Sequence, residues 1–196
     1  MQSGWLARAY EDWWRPVLFG LSTRFGAPSS GGEAREVLRR IEDCRGPWLD
    51  VSCGPGTLLR HLAKAPGSRR VYGLDLSRAM LERARIAAPA ATLVRGDAAE
   101  LPFEDGAFGA VTSLAALDLY PDPARAVAEA ARVLASGGRW VCSSFVRTGK
   151  ASRVALASGV RTPSLDEIAA WAARAGLGRF GNLPFRGYAI AWADKD

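Results

Sequence analysis

The chain has 196 residues, 48% of them apolar, with 26 basic side chains against 20 acidic ones and a net charge of +6. That length suits one domain able to bury about 70% of its unfolded surface, and neither a membrane-spanning run nor a secretory leader is expected. Three scattered cysteines (Cys44, Cys53, Cys142) and one histidine (His61) exclude a disulfide framework and a His-based metal cluster, so no metal is expected. Only Lys64, Lys150 and Lys195 are lysine, and the arginines spread along the whole chain rather than forming the patch that nucleic acid needs.

In chain order, residues 3–25 come first. Trp5, Leu6, Ala9, Tyr10, Trp13, Trp14, Val17, Leu18 and Leu21 make two apolar rows at i, i+4 spacing, an amphipathic helical pattern kinked or restarted at Pro16. Three readings are open: a helix packed on the body of the protein, a lid over a site, or an aromatic face docked on a membrane surface. Glu11 and Asp12 beside the tryptophans oppose the third, because anionic lipid would repel them. Ala27 to Gly32 is a connector by composition. Glu33 to Cys44 predicts a helix with Val37, Leu38 and Ile41 on one side.

Pro47 to Leu59 is the stretch around which the rest of the chain is organised. Trp48, Leu49 and Val51 predict a short buried strand with Asp50 at its carboxyl end, and Gly54 and Gly56 turn the chain sharply. A helix is expected to open directly behind them, its first N–H groups facing the same crevice. Arg70 to Leu76 predicts a second strand ending at Asp75, about twenty residues beyond the loop, where an open α/β sheet places the acid that grips a ribose. Ala91 to Ala98 predicts a third, ending at Asp97. One such aspartate alone reads as a cap or turn residue, whereas three on one sheet edge point to a ligand.

Ser77 caps a helix to about Ala88, and Phe108 to Leu114 predicts a fourth strand ending near Ser113. Asp118 and Tyr120 come after it on the rim. A helix from Pro123 is predicted to stop at Gly137-Gly138, with a fifth strand from Arg139 to Phe145. Val146 to Thr162 reads as a loop with at most one short helix. Ser164 caps a helix to Ala175, and Arg179–Phe185 with Tyr188–Trp192 closes the chain as a hairpin turned at Arg186-Gly187.

These motifs form an ordered set: Asp50-Val-Ser-Cys-Gly54-Pro-Gly56, Gly73-Leu-Asp75-Leu-Ser77 with Met80-Leu81, and Arg95-Gly96-Asp97-Ala98 with Leu101-Pro102-Phe103. Phe108 through Ser113, Leu117 through Pro123 and Glu129 through Gly138 complete it. The set resembles the class I S-adenosylmethionine (SAM) dependent methyltransferases, in the branch of quinone-biosynthesis and other small-molecule enzymes. The resemblance implies an α/β, Rossmann-like methyltransferase fold: a seven-stranded, mostly parallel sheet with a C-terminal antiparallel hairpin and helices on both faces. It implies residues 1–45 as an N-terminal helical lid or cap and residues 46–196 as the SAM-binding domain. The activity it implies is transfer of a methyl group to a small-molecule acceptor by in-line displacement, leaving S-adenosylhomocysteine (SAH).

The residues carry over position by position. Asp50 and the Gly54–Gly56 turn would hold the methionine end of the cofactor, with Ser52, Cys53 and Ser113 among the contacting positions. Asp75 would accept both ribose hydroxyls, and Leu76 and Met80 would line the adenine pocket or equally well sit in the core. Asp97 would accept from the adenine amino group and the Ala98 N–H would donate to a ring nitrogen. No catalytic base stands out; the candidates are Asp118, Tyr120 and Tyr10, each with a plainer reading as a helix-entry aspartate, a packed aromatic and a core tyrosine. Two departures stand: the family's first loop glycine is Ser52 here, and the cap that many relatives insert after the fifth strand is nearly absent. The second puts more of the acceptor pocket on the N-terminal segment or on a partner subunit, so a homodimer is open. The departures also motivate an alternative, a silent SAM-binding interaction module. An NAD(P)-dependent reductase is the remaining one, although Gly-x-Gly-x-x-Gly fails at Leu59 and no Tyr-x-x-x-Lys pair occurs. A small-molecule acceptor, no nucleic acid, no stable membrane insertion and a cytoplasmic location complete the expectation.

Overall fold

Apolar runs too short for helices pair as strands, and the amphipathic segments between them cover both faces of the resulting sheet. The structure, a computed structural model, describes residues 30–67, 69–147, 162–185 and 187–196. The aromatic stripe of residues 3–25, Tyr10 included, and most of the predicted loop from Val146 to Thr162 lie outside the described residues. In chain order the elements are α1 (Ser30–Ile41), β1 (Trp48–Val51), α2 (Leu59–Leu62), β2 (Val71–Asp75), α3 (Arg78–Ala87) and β3 (Thr92–Arg95). Then come β4 (Phe108–Leu114), a 3-10 turn (Leu117–Leu119), α4 (Pro123–Val133), β5 (Leu134–Phe145), α5 (Leu165–Arg174), β6 (Leu177–Phe185) and β7 (Tyr188–Lys195).

The strands form one sheet in the order β3-β2-β1-β4-β5-β7-β6. β1 to β5 are parallel, and β7 lies antiparallel between β5 and β6. The chain therefore reverses its direction of travel across the sheet between β1 and β4, which opens a crevice at their carboxyl ends. Alternation along each strand divides the core in two. Leu49, Val51, Val111 and Cys142 pack against α4 and α5. Trp48, Ala110, Val141 and Ile190 pack against α1, α2 and α3. All four residues of β1 are buried, and each buried Leu or Val contributes about 1.5–3 kcal/mol, so a strand this short still holds the centre.

Several predicted boundaries move, the closing hairpin among them, which runs over Leu177–Phe185 and Tyr188–Lys195 rather than Arg179–Phe185 and Tyr188–Trp192. Helix α1 begins at Ser30, inside the stretch read as a connector, because Glu33 in its first turn is buried against the Tyr188 hydroxyl. Strand β3 is only Thr92–Arg95, since Asp97 leaves the ladder to close a turn on the Ala99 N–H at 2.9 Å. Strand β5 begins at Leu134 rather than Arg139. The Lys195 ammonium donates to the Ala131 and Leu134 carbonyls at 2.8 and 2.7 Å, ending α4 there, and Gly137-Gly138 falls within an irregularity of β5. Helix α2 is a single turn that begins at Leu59, after a run of turns from Gly54. The expected helix N-terminus on the glycine loop is thus not formed.

Two glycines explain how the loop seats. A Cβ on Gly73 of β2 would come 2.5 Å from Leu59 Cδ1 and 3.0 Å from Cys53 Sγ, so the loop lies directly on that strand. Gly56, at φ +83°, would place a Cβ 3.0 Å from the Ala84 Cα, so its role is to bring the loop against α3. The turn is fixed from below and behind, and its outer edge faces the crevice.

Candidate functional site

The carboxyl ends of β1, β2 and β3 carry Asp50, Asp75 and Asp97 in a stepped row, since Asp50 pairs with Gly73 and Asp75 with Arg95, each two residues short of the next acid. Their surroundings differ. Asp75 is half-buried; its Oδ2 accepts from the Gly54 N–H at 2.8 Å and its Oδ1 from the Ser77 N–H at 2.9 Å. One carboxylate thereby ties the glycine loop to the start of α3, whose cap is the Ser77 hydroxyl bonded to the Met80 N–H at 3.3 Å. Next to it Leu76 is 63% exposed, an unusual position for a large apolar side chain, while Met80 is buried. Asp97 is exposed beside buried Ala98.

Asp50 lies deeper, behind the loop, and only 2% of it is exposed. Its Oδ1 accepts from the Thr112 hydroxyl at 2.8 Å across the β1–β4 seam. Burial pushes its carboxyl up to about 7, against the Thr112 bond, and the charges of Asp75 and Glu33 add to the rise. Cys53 continues the β1 ladder, its N–H donating to the Leu74 carbonyl at 3.0 Å, and burial lifts its thiol far above the range in which a thiolate forms. It is no nucleophile.

Ser52 takes a left-handed conformation, φ 57°, in which a side chain is uncommon. Its Oγ is 2.8 Å from the Tyr120 hydroxyl, which is 2.9 Å from Ser113 Oγ. Burial raises the Tyr120 phenol to about 12, so it stays neutral and does not act as a base near neutral pH. Asp118 accepts from the Ser144 hydroxyl at 3.1 Å, and burial raises its carboxyl too. His61 is half-buried on α2, its imidazole held toward neutrality by burial.

One cluster escaped the sequence reading. The Tyr188 hydroxyl donates to a Glu33 carboxylate oxygen and lies 2.7 Å from Ser143 Oγ, which accepts from the Ala115 N–H at 3.0 Å. Glu33 and Tyr188 stand 155 residues apart, so no local pattern could pair them. The sequence signals were slight: the adjacent serines 143 and 144, and Thr112 inside an otherwise apolar strand. Among the described residues no group of three or more His, Cys, Asp or Glu side chains could hold a metal ion, and no helix is long and apolar enough to cross a membrane.

Residues 49–142 match the family model described as a methyltransferase domain. An uncharacterised chloroplastic methyltransferase of Arabidopsis thaliana is 34% identical over 148 residues, covering 70% of this chain and 41% of that protein. A demethylmenaquinone methyltransferase of Staphylococcus aureus is 45% identical over 98 residues, 48% of this chain and 41% of that protein. The chain spans less than half the length of the curated relatives it matches. Among solved structures, a SAM-dependent methyltransferase of Thermotoga maritima superposes with a TM-score of 0.74 at 20% identity, over 96% of this chain and 99% of that one. Geranyl diphosphate C-methyltransferase of Streptomyces coelicolor gives a TM-score of 0.71 at 17% identity, over 85% and 77% of the two chains. At those identities the likeness is one of fold. The ordered motifs, the sheet with its closing hairpin and the matched domain agree, and residues 49–142 are a methyltransferase domain of the class I SAM-dependent kind.

Proposed function

We propose that the chain transfers the methyl group of SAM to a small-molecule acceptor, with residues 46–196 as the SAM-binding domain. The observation that carries this reading is Asp75. Each of its oxygens accepts one backbone N–H and keeps a further lone pair, which suits the two hydroxyls of a ribose, and an exposed apolar side chain, Leu76, stands beside it where an adenine ring would cover it. Asp97 and Ala98 extend the same edge toward the amino and ring nitrogens of that base. The Gly54–Gly56 turn, with Ser52, Cys53 and Ser113 around it, supports the methionine end, and Asp50 backs it from within the sheet.

SAM supplies a methyl group already activated on a positively charged sulfur. The chain's work is to bind, orient and exclude water. Asp118 is the candidate for holding a proton at the rim, because burial raises its carboxyl. Tyr120 serves better as a fixed neutral hydroxyl than as a base. Helix α1 packs in the core beside β1, so of the expected lid only residues 1–29, which lie outside the described residues, are left as the candidate cover for the acceptor, with a second copy of the chain as the alternative. The acceptor class is taken from the relatives, which are named for demethylmenaquinone and geranyl diphosphate. A cytoplasmic site of action accompanies this reading. Calorimetry with SAM, SAH, NAD and NADP tests it. Binding of the first two alone is expected; nicotinamide binding without a SAM signal would overturn it.

A further inference from the structure

Ser52 is the residue in this chain that stands where the family's loop carries glycine, and the backbone there still takes glycine's conformation, φ 57°. Left-handed backbone is strained for any residue with a Cβ and persists only when its surroundings hold it. The surroundings here are specific. Ser52 Oγ is 2.8 Å from the Tyr120 hydroxyl, and that hydroxyl is 2.9 Å from Ser113 Oγ at the end of β4. One phenol therefore joins the loop after β1 to the end of β4 across the crevice where the sheet order reverses. The residue two positions on is Gly54, whose N–H reaches Asp75 at 2.8 Å. If Ser52 left the left-handed region, the N–H groups behind it would turn and Gly54 would lose Asp75.

We infer that Tyr120 is a positioning residue for the cofactor loop: its hydroxyl holds Ser52 in the left-handed turn that a glycine would take unaided. It does this without touching the reacting atoms. The phenol keeps its proton to about pH 12, so the tie is independent of pH over the working range.

The tie makes a rescue prediction that a simple structural or catalytic role does not. Tyr120→Phe removes the tie and leaves the strain; Ser52→Ala does the same from the other side. Each should weaken SAH binding by about five- to thirty-fold, the equivalent of the left-handed strain released. Ser52→Gly needs no tie, so the double variant Ser52→Gly/Tyr120→Phe should bind SAH within about twofold of Ser52→Gly. Amide exchange of Gly54 in the ligand-free protein gives a second reading that needs no ligand. It should quicken in Tyr120→Phe and in Ser52→Ala, and return to the parent rate in the double glycine variant. An equal loss from Tyr120→Phe in serine and glycine backgrounds, or no loss in either, would overturn the tie. Failure of the parent protein to bind SAH would instead overturn the methyltransferase reading, while the Gly54 exchange rates would still decide the tie.

Discussion

On the β1–β3 side of the rim, Asp75 and Asp97 each accept the backbone N–H of the residue two positions ahead, Ser77 and Ala99. On the β4–β5–β7 side the polar groups are buried and reach one another across the chain, Tyr188 to Glu33, Tyr188 to Ser143 and Ser144 to Asp118. The first arrangement leaves carboxylate lone pairs facing outward, as a site for a constant ligand should. The second ties its groups to one another and shapes a wall, with Asp118 half-buried at its rim. The turns closed by Asp75 and Asp97 are a local device repeated strand by strand, although Asp75 also reaches back 21 residues to Gly54, whereas the other half is a tertiary one. Asp50 belongs to neither alone, since its carboxylate crosses the seam to Thr112.

The largest effect is expected at that seam. The Asp50 carboxyl stands near 7 in the folded protein against an ordinary value of 3.8. Between those values the folded form holds a proton that the unfolded chain releases, so stability falls as pH rises through this window. Asp50→Asn cannot titrate and should escape that fall, gaining on the parent by up to about 4 kcal/mol between the two ends of the window. Urea midpoints across the window measure it. Parallel curves would mean that Asp50 is ionised within the fold.

Asp75→Ala comes next. It removes the proposed ribose contacts and leaves the Gly54 and Ser77 N–H groups without their acceptor, so SAH binding should weaken by about 1.5–3 kcal/mol, roughly ten- to 150-fold. An unchanged dissociation constant would reduce Asp75 to a loop brace. Tyr188→Phe probes the opposite half. It deletes one donor to buried Glu33 and should cost about 1–3 kcal/mol of stability in a denaturant melt, while SAH affinity stays within about twofold if the halves are separate devices. A matching loss of affinity would join them into one.

That same division decided what the sequence could reveal. The turns at Asp75 and Asp97 and the caps at Ser77, Asp122 and Ser164 act within a few residues, and their spacing is visible in the chain. The seven-stranded, mostly parallel sheet and its closing hairpin were legible through the motif set. Glu33 with Tyr188, Thr112 with Asp50 and the Lys195 ammonium over the end of α4 join residues 155, 62 and 61 to 64 positions apart. Periodicity carries no trace of such pairs. The start of α1 and the end of α4 depend on them, and those boundaries moved. The glycine loop adds a contact of the same kind: the missing Cβ of Gly56 makes room for α3 at Ala84, 28 positions on.

Asp97 gives the smallest expected effect and the finest test of the cofactor half. Its Oδ1 accepts the Ala99 N–H at 2.9 Å, closing the turn after β3, and its second oxygen is the one proposed to face the adenine amino group. Asp97→Asn separates the two tasks. The amide oxygen can still close the turn, because it accepts an N–H as a carboxylate oxygen does. The amide nitrogen then faces the adenine amino group, donor against donor. SAH binding should weaken by about three- to ten-fold, the scale of one lost exposed hydrogen bond, with the melting temperature unchanged. Calorimetry and a thermal melt on the same preparation check both halves. If the melt drops while affinity holds, Asp97 is a turn residue and the adenine is recognised by other groups on that edge.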